Sequence, residues 1–120
     1  MKSVEDTLLG RRSIRRYERQ PVEREKLDLI YAAIRNTPTS YNGQQFSVIA
    51  VTDQTVKEEL YEITGQKQTK TSAILLVFCL DYHKLRVAAA AKGMRAPPFE
   101  STIDGFTVGV IDASMAMMSP

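Results

Sequence analysis

The run Ala73-Ile-Leu-Leu-Val-Phe-Cys-Leu80 is the most apolar stretch of the chain. Its length suits a strand and is short for a helix. Its unbroken apolarity predicts a central strand covered on both faces rather than one that alternates between core and water. Cys79 within it reads as a small buried hydrophobe. A second strand is predicted at Phe46 to Thr52, which is β-branched and nearly all apolar. Whatever the chain folds into must bring these two runs out of water.

Helical patterns surround them. Ser3 to Leu9 reads as a short helix with a Ser3–Asp6 capping box, ended by Gly10, with Val4, Thr7 and Leu8 as its buried side. Val22 to Asn36 carries Leu27, Ile30, Tyr31 and Ile34 at steps of three and four. Asp53 is placed to cap a helix from Gln54 to Thr64, with Val56, Leu60 and Ile63 as its apolar positions and Gly65 as its stop. Gln66 to Ser72 is a short polar connection. Tyr82 to Lys92 is predicted helical from its alanine run, with His83 a surface residue at its start. Gly93 to Ser101, containing Pro97-Pro98, is a connector. Ile103 to Met118 is helical again, and its methionines are expected in core or interface packing.

At 120 residues, with 43% hydrophobic and 25% charged side chains, the chain is expected to be a single soluble domain with a modest core. A net charge of +2 is too small to announce a nucleic-acid binder. No apolar run approaches membrane-spanning length, and Met1 to Gly10 carries acids and no apolar core, so it does not read as a signal peptide. A lone cysteine rules out an internal disulfide and fits a reducing cytoplasm. One histidine and one cysteine leave little for a metal site.

Two polar stretches remain. Arg11-Arg12-Ser13-Ile14-Arg15-Arg16-Tyr17 gathers four arginines and a serine in seven residues. Between Arg11 and Arg19 only Glu18 opposes the positive charge. The apolar residues are too sparse for a helical face. Read as an extended segment, it places Arg11, Ser13 and Arg15 on one side and Arg12, Ile14 and Arg16 on the other. Guanidinium forks and a hydroxyl suit phosphate oxygens; a solvated basic edge has the same composition. The second stretch, Pro38-Thr39-Ser40-Tyr41-Asn42-Gly43-Gln44-Gln45, is an uncharged loop of hydroxyls and amides. It reads either as a ligand loop or as a plain turn. Neither contains an acid–base or nucleophilic pair, and a nucleic-acid surface ranks last, since no aromatic platform or helix-turn-helix pattern accompanies the arginines.

Together these stretches resemble the FMN-dependent nitroreductase family, most closely its NADPH-dependent nitro/flavin reductase branch. Gly65-Gln66-Lys67-Gln68 and Val77-Phe78-Cys79-Leu80-Asp81-Tyr82 add to the resemblance, and Val110-Ile111-Asp112-Ala113 looks like the start of the family's long central helix. The resemblance implies an α+β nitroreductase-like fold, a mixed and largely antiparallel sheet flanked by helices, of which the 120 residues resemble the N-terminal half. It implies that Arg11, Arg12, Ser13 and Arg15 hold the phosphate, ribityl chain and pyrimidine edge of FMN. It implies that Gln66 hydrogen-bonds the flavin. Thr39, Ser40, Asn42 and Gln44 match the loop that approaches the flavin held mainly by the other subunit of a homodimer.

The activity implied is a ping-pong reductase in the cytoplasm. NADPH or NADH would reduce FMN, which would pass electrons to a nitroaromatic, quinone or flavin. No catalytic side chain, metal, membrane or nucleic acid is implied. Family chains are longer, and the resemblance ends within the central helix, before the segments that complete the phosphate site and the donors near flavin N5. The alternative is a truncated, non-catalytic module that dimerises or binds flavin.

Overall fold

The computed structural model describes residues 3–18 and 20–119; Arg19, counted above with the arginine stretch, lies outside the described residues, as do Met1, Lys2 and Pro120. In chain order the elements are α1 (Val4–Leu9), α2 (Arg24–Arg35), β1 (Phe46–Val51), α3 (Gln54–Thr64), α4 (Lys67–Thr71), β2 (Leu75–Leu80), α5 (His83–Ala91) and α6 (Ile103–Met118). Single 3-10 turns lie at Ser40–Asn42 and Phe99–Ser101. The chain divides into two compact units, one of Met1–Pro21 with Thr52–Ala73 and one of Val22–Val51 with Ile74–Pro120.

In the first unit, α1 has the capping box that Ser3 and Asp6 predict. Ser3 Oγ accepts from Asp6 N at 3.0 Å, and Asp6 Oδ2 accepts from Ser3 N at 3.2 Å. Its predicted buried side is not buried: Val4 and Leu8 are exposed. Six residues give a helix too short to stand on propensity, so the cap rather than an apolar seam defines it. Asp53 caps α3 through Val56 N, and Gly65 ends it at φ 66°, a left-handed conformation that favours glycine. The predicted apolar side of α3 is also corrected, since Val56 and Ile63 are exposed and Lys57 is buried. Lys57 turns inward because its amine finds a partner there, donating to Ser72 O at 2.8 Å, while its methylene stem tolerates burial. The polar connection Gln66 to Ser72 contains α4, which packs against α3 and buries Thr69. Lys70 Nζ sits 3.6 Å from the centre of the Tyr61 ring.

In the second unit, β1 and β2 pair antiparallel, from Phe46 opposite Leu80 to Val51 opposite Leu75. The expectation of a fully covered central strand is not met: among the described residues β2 has one strand partner and its side chains are half-buried throughout. Helix α6 packs across the strand pair and against α2. Its buried positions are Gly105, Gly109, Asp112, Ala113 and Ala116, which share one face at steps of three and four. Small residues there let the helix backbone come close to the sheet. From α2, Ile34 joins this core, with Leu27, Ile30 and Tyr31 half-buried beside it in the predicted pattern.

Candidate functional site

The arginine segment leaves α1 at Gly10 and continues to Glu18 without helix or strand structure. Arg11, Arg12, Ser13 and Arg15 are all exposed. Among the described residues none of Arg11, Arg12, Arg15 and Arg16 takes part in an ion pair. Among the described residues, the one side-chain bond with both ends inside the segment runs from Tyr17 Oη to Ile14 O at 3.0 Å. A row of unpaired guanidinium groups on an unstructured backbone is a donor surface with no internal acceptor. Such a surface suits a phosphate group or another polyvalent anion. In the same unit, Gln66 is exposed just before α4, and its Oε1 accepts from Gln68 Nε2 at 2.6 Å.

In the other unit, the 3-10 turn brings Thr39, Ser40, Asn42 and Gln44 together. Asn42 N donates to Thr39 O at 3.1 Å, Gly43 N to Ser40 O at 2.9 Å, and Gln44 N to Thr39 Oγ1 at 3.1 Å. Three residues of the loop, none of them glycine, are left-handed: Tyr41 at φ 57°, Asn42 at φ 53° and Gln44 at φ 49°. Each costs about 1–2 kcal/mol for an L residue, least for Asn. Strain of this size persists only where neighbouring structure imposes it.

That structure is Asp112, the residue the sequence reading missed. Its side chain is 1% exposed. It accepts from Ser40 N at 2.9 Å, from Ser40 Oγ at 3.1 Å and from Gln45 Nε2 at 2.7 Å. A buried carboxylate is costly unless fully hydrogen-bonded, and charge-assisted bonds of about 1.5–3 kcal/mol each offset both that cost and the loop strain. Gln45 itself is buried at 3% exposure. Its backbone carbonyl accepts from Asp81 N at 3.0 Å, tying the loop to the residue that follows β2. The available signal was Asp112 lying in register with Gly105, Gly109 and Ala116 on one helical face, since a lone acid on a small-residue face must find donors from elsewhere.

Further electrostatic detail lies at the far end of β2. Ser47 Oγ donates to Asp81 Oδ2, and His83 N donates to Asp81 Oδ1 at 2.8 Å. These bonds hold the Asp81 carboxyl below its ordinary pKa, with lesser help from Lys84. Tyr82 is buried, stacks on Phe99 with ring centres 5.2 Å apart and donates its hydroxyl to Gly105 O at 2.7 Å. Burial first, and the nearby Asp112 charge second, push its phenol pKa up. Cys79 is half-buried and His83 exposed. Among the described residues no cluster of His, Cys, Asp and Glu could hold a metal, and no helix is long and apolar enough to cross a membrane.

Comparison with known proteins places these features in a family. Residues 8–119 match the model of the nitroreductase family. The NAD(P)H FMN reductase of Bacillus subtilis strain 168 is 33% identical over 118 residues, covering 98% of this chain and 47% of that protein. An NADPH-dependent oxidoreductase of Staphylococcus saprophyticus is 31% identical over 113 residues, covering 93% of this chain and 45% of that protein. The solved structure of B. megaterium NfrA2 superposes with a TM-score of 0.92 at 28% identity, over 99% of this chain and 48% of that one. The chain thus spans about half the length of the curated relatives it matches. With a match that runs from the end of α1 through the arginine segment, the polar loop and α6, and with a nitroreductase-like α+β fold, the chain belongs to the nitroreductase family.

Proposed function

We propose that this chain is the N-terminal, flavin-binding portion of an FMN-dependent NAD(P)H oxidoreductase. The observation that carries this reading is the arginine segment, whose four exposed guanidinium groups have no ion-pair partner among the described residues. Its donor set fits FMN: a phosphate needs charged forks, which Arg11, Arg12 and Arg15 offer beside the Ser13 hydroxyl, and the flavin's ring edge needs neutral donors and acceptors, which Gln66 offers. Thr39, Ser40, Asn42 and Gln44 would face the flavin held by a second copy. When bound, FMN would supply the redox chemistry, with NADPH or NADH as hydride donor and a nitroaromatic, quinone or flavin as acceptor in a ping-pong sequence. The chain's own part is to bind, orient and shield, and the reading assigns no acid, base or nucleophile.

The same reading makes the protein a cytoplasmic homodimer, without nucleic-acid or membrane partners, and treats the 120 residues as a single domain. Support for the dimer comes from α6, where Ile103, Phe106, Ile111, Met117 and Met118 are all at least half exposed. Apolar side chains concentrated on one helix are what an interface covers. The test is an absorbance scan of the purified protein before and after adding FMN and removing the excess, with light scattering on the same sample. Retained flavin in a dimer is the expected result. A colourless dimer would instead favour a non-catalytic dimerising module, and a monomer without flavin would overturn both readings.

A further inference from the structure

The geometry points to Asp112 as a positioning residue: we infer that its carboxylate clamps both ends of the Ser40–Gln45 loop and so holds Asn42 and Gln44 in the orientation in which they meet flavin. This rests on the flavin reading above. The bonds are unusual in their destination. All three go to one segment, two to Ser40 at its start and one to Gln45 at its end, so the carboxylate ties down a loop 67 to 72 residues away in sequence.

The residues between the clamped ends behave as a presented surface. Tyr41 is 98% exposed, Asn42 and Gln44 are exposed, and all three are left-handed. Gln45 shows the same priority. Its Nε2 takes the 2.7 Å bond to Asp112, while its Oε1 is buried without a hydrogen-bond partner among the described residues. That oxygen lies where a Cβ on Gly43 would be, so Gly43 leaves the room that the Gln45 side chain needs to reach the carboxylate. A helix face otherwise built of Gly105, Gly109, Ala113 and Ala116 would pack against the sheet without an acid. The acid adds a fixed loop geometry, the usual role of residues that support a binding shell without touching the ligand.

Asp112→Asn tests this. It is isosteric, but its single acceptor oxygen faces three donors, and its amide hydrogens point at donors in turn. Two readings are taken on the full 120-residue chain: amide hydrogen exchange by NMR, and FMN affinity by flavin-fluorescence titration. The expected result is exchange at Ser40 N faster by about tenfold or more and FMN affinity weaker by about tenfold, equivalent to one lost charge-assisted bond, with β1, β2 and α3 amides unchanged. Unchanged protection at Ser40 overturns the clamp. A loosened loop with unchanged FMN affinity overturns the positioning role. If Asp112→Asn unfolds the strands as well, Gln45→Leu, which removes the 2.7 Å amide bond to the carboxylate at a residue not assigned to the flavin, decides, with exchange read at Gly43 N and Gln44 N and FMN affinity as before. An unmodified chain that binds no FMN overturns the flavin reading and the positioning role with it, and the exchange data still uphold or overturn the clamp.

Discussion

Leu80 Cδ1 fills the space that a Cβ on Gly109 would occupy, so β2 and α6 meet through the absence of a side chain. Four residues earlier on the same helix face, Gly105 stands against the backbone carbonyl of Phe99. The two glycines look equivalent in sequence and differ physically. At Gly109 the obstacle is the end of a flexible side chain, and at Gly105 it is main chain. Alanine gains about 1 kcal/mol of helix propensity at either position, against about 1–3 kcal/mol of overpacking. Gly109→Ala is therefore expected to change stability by no more than about 2 kcal/mol. Gly105→Ala is expected to cost more, because the Phe99 turn and the 2.7 Å Tyr82 bond to Gly105 O must move together. Urea unfolding midpoints of the two variants check this, and equal midpoints would contradict the packing described.

How much of this was legible in sequence depended on range. Asp53 and Gly65 fix α3 at both ends by local chemistry, and its observed bounds, Gln54–Thr64, are those the pattern predicts. Ile103–Met118 was equally plain. Where the pattern named the wrong buried side, as on α1 and α3, helix periodicity gave a face but not what lies against it. Lys57 is buried because of the Ser72 carbonyl, which periodicity cannot see. Helix α4 has no apolar rhythm to reveal it. In the candidate site, the arginine and amide stretches stood out by composition, whereas Asp112 acquires its role only through contacts with residues far away in sequence.

The Ser47–Asp81 bond predicts a pH signature. Asp81 has a folded-state pKa below its ordinary value of 3.8, chiefly through Ser47 and then His83 N. A depressed carboxylate stabilises the fold fully above the unfolded value and loses that contribution as pH falls through the folded one. Asp81 is half-exposed, so the effect is on the order of 1 kcal/mol after solvent screening. Asp81→Asn is expected to unfold more easily than the parent near neutral pH. The difference is expected to shrink below pH 3.8. Chemical unfolding across that range reads it, and a gap that stays constant into acid would remove the assigned cause.

Gly43→Ala addresses the loop from its other side. Its new Cβ would displace Gln45 Oε1 and press on Ser40 O, 3.2 Å away. The Gln45 bond to Asp112 then breaks or lengthens. A loss of about 1–3 kcal/mol is expected for removing a partner from a buried carboxylate. Gly65→Ala gives the contrast: nothing lies within 4 Å of its Cβ, so its cost is the left-handed backbone alone, about 1–2 kcal/mol. Hydrogen exchange separates the two, with Gly43→Ala loosening Ser40 to Gln45 and Gly65→Ala loosening only the end of α3.

The arginines provide the most direct test of the flavin reading. Arg11, Ser13 and Arg15 alternate along the chain, and on an extended segment they share a side, whereas Arg16 lies outside the set assigned to FMN. Arg11→Ala and Arg15→Ala are each expected to weaken FMN binding by one charge-assisted bond, about 1.5–3 kcal/mol. At about 1.4 kcal/mol per factor of ten, that is roughly 10- to 150-fold in Kd. Arg16→Ala should leave affinity within a small factor of the parent. Because the segment is exposed, its attraction for phosphate is screened over about 8–10 Å at physiological salt. The loss on mutation should therefore shrink as salt is raised. Fluorescence titrations of the three variants at two ionic strengths read both effects. Unchanged affinity in Arg11→Ala and Arg15→Ala would show that the segment is a solvated basic edge and that any flavin is held elsewhere.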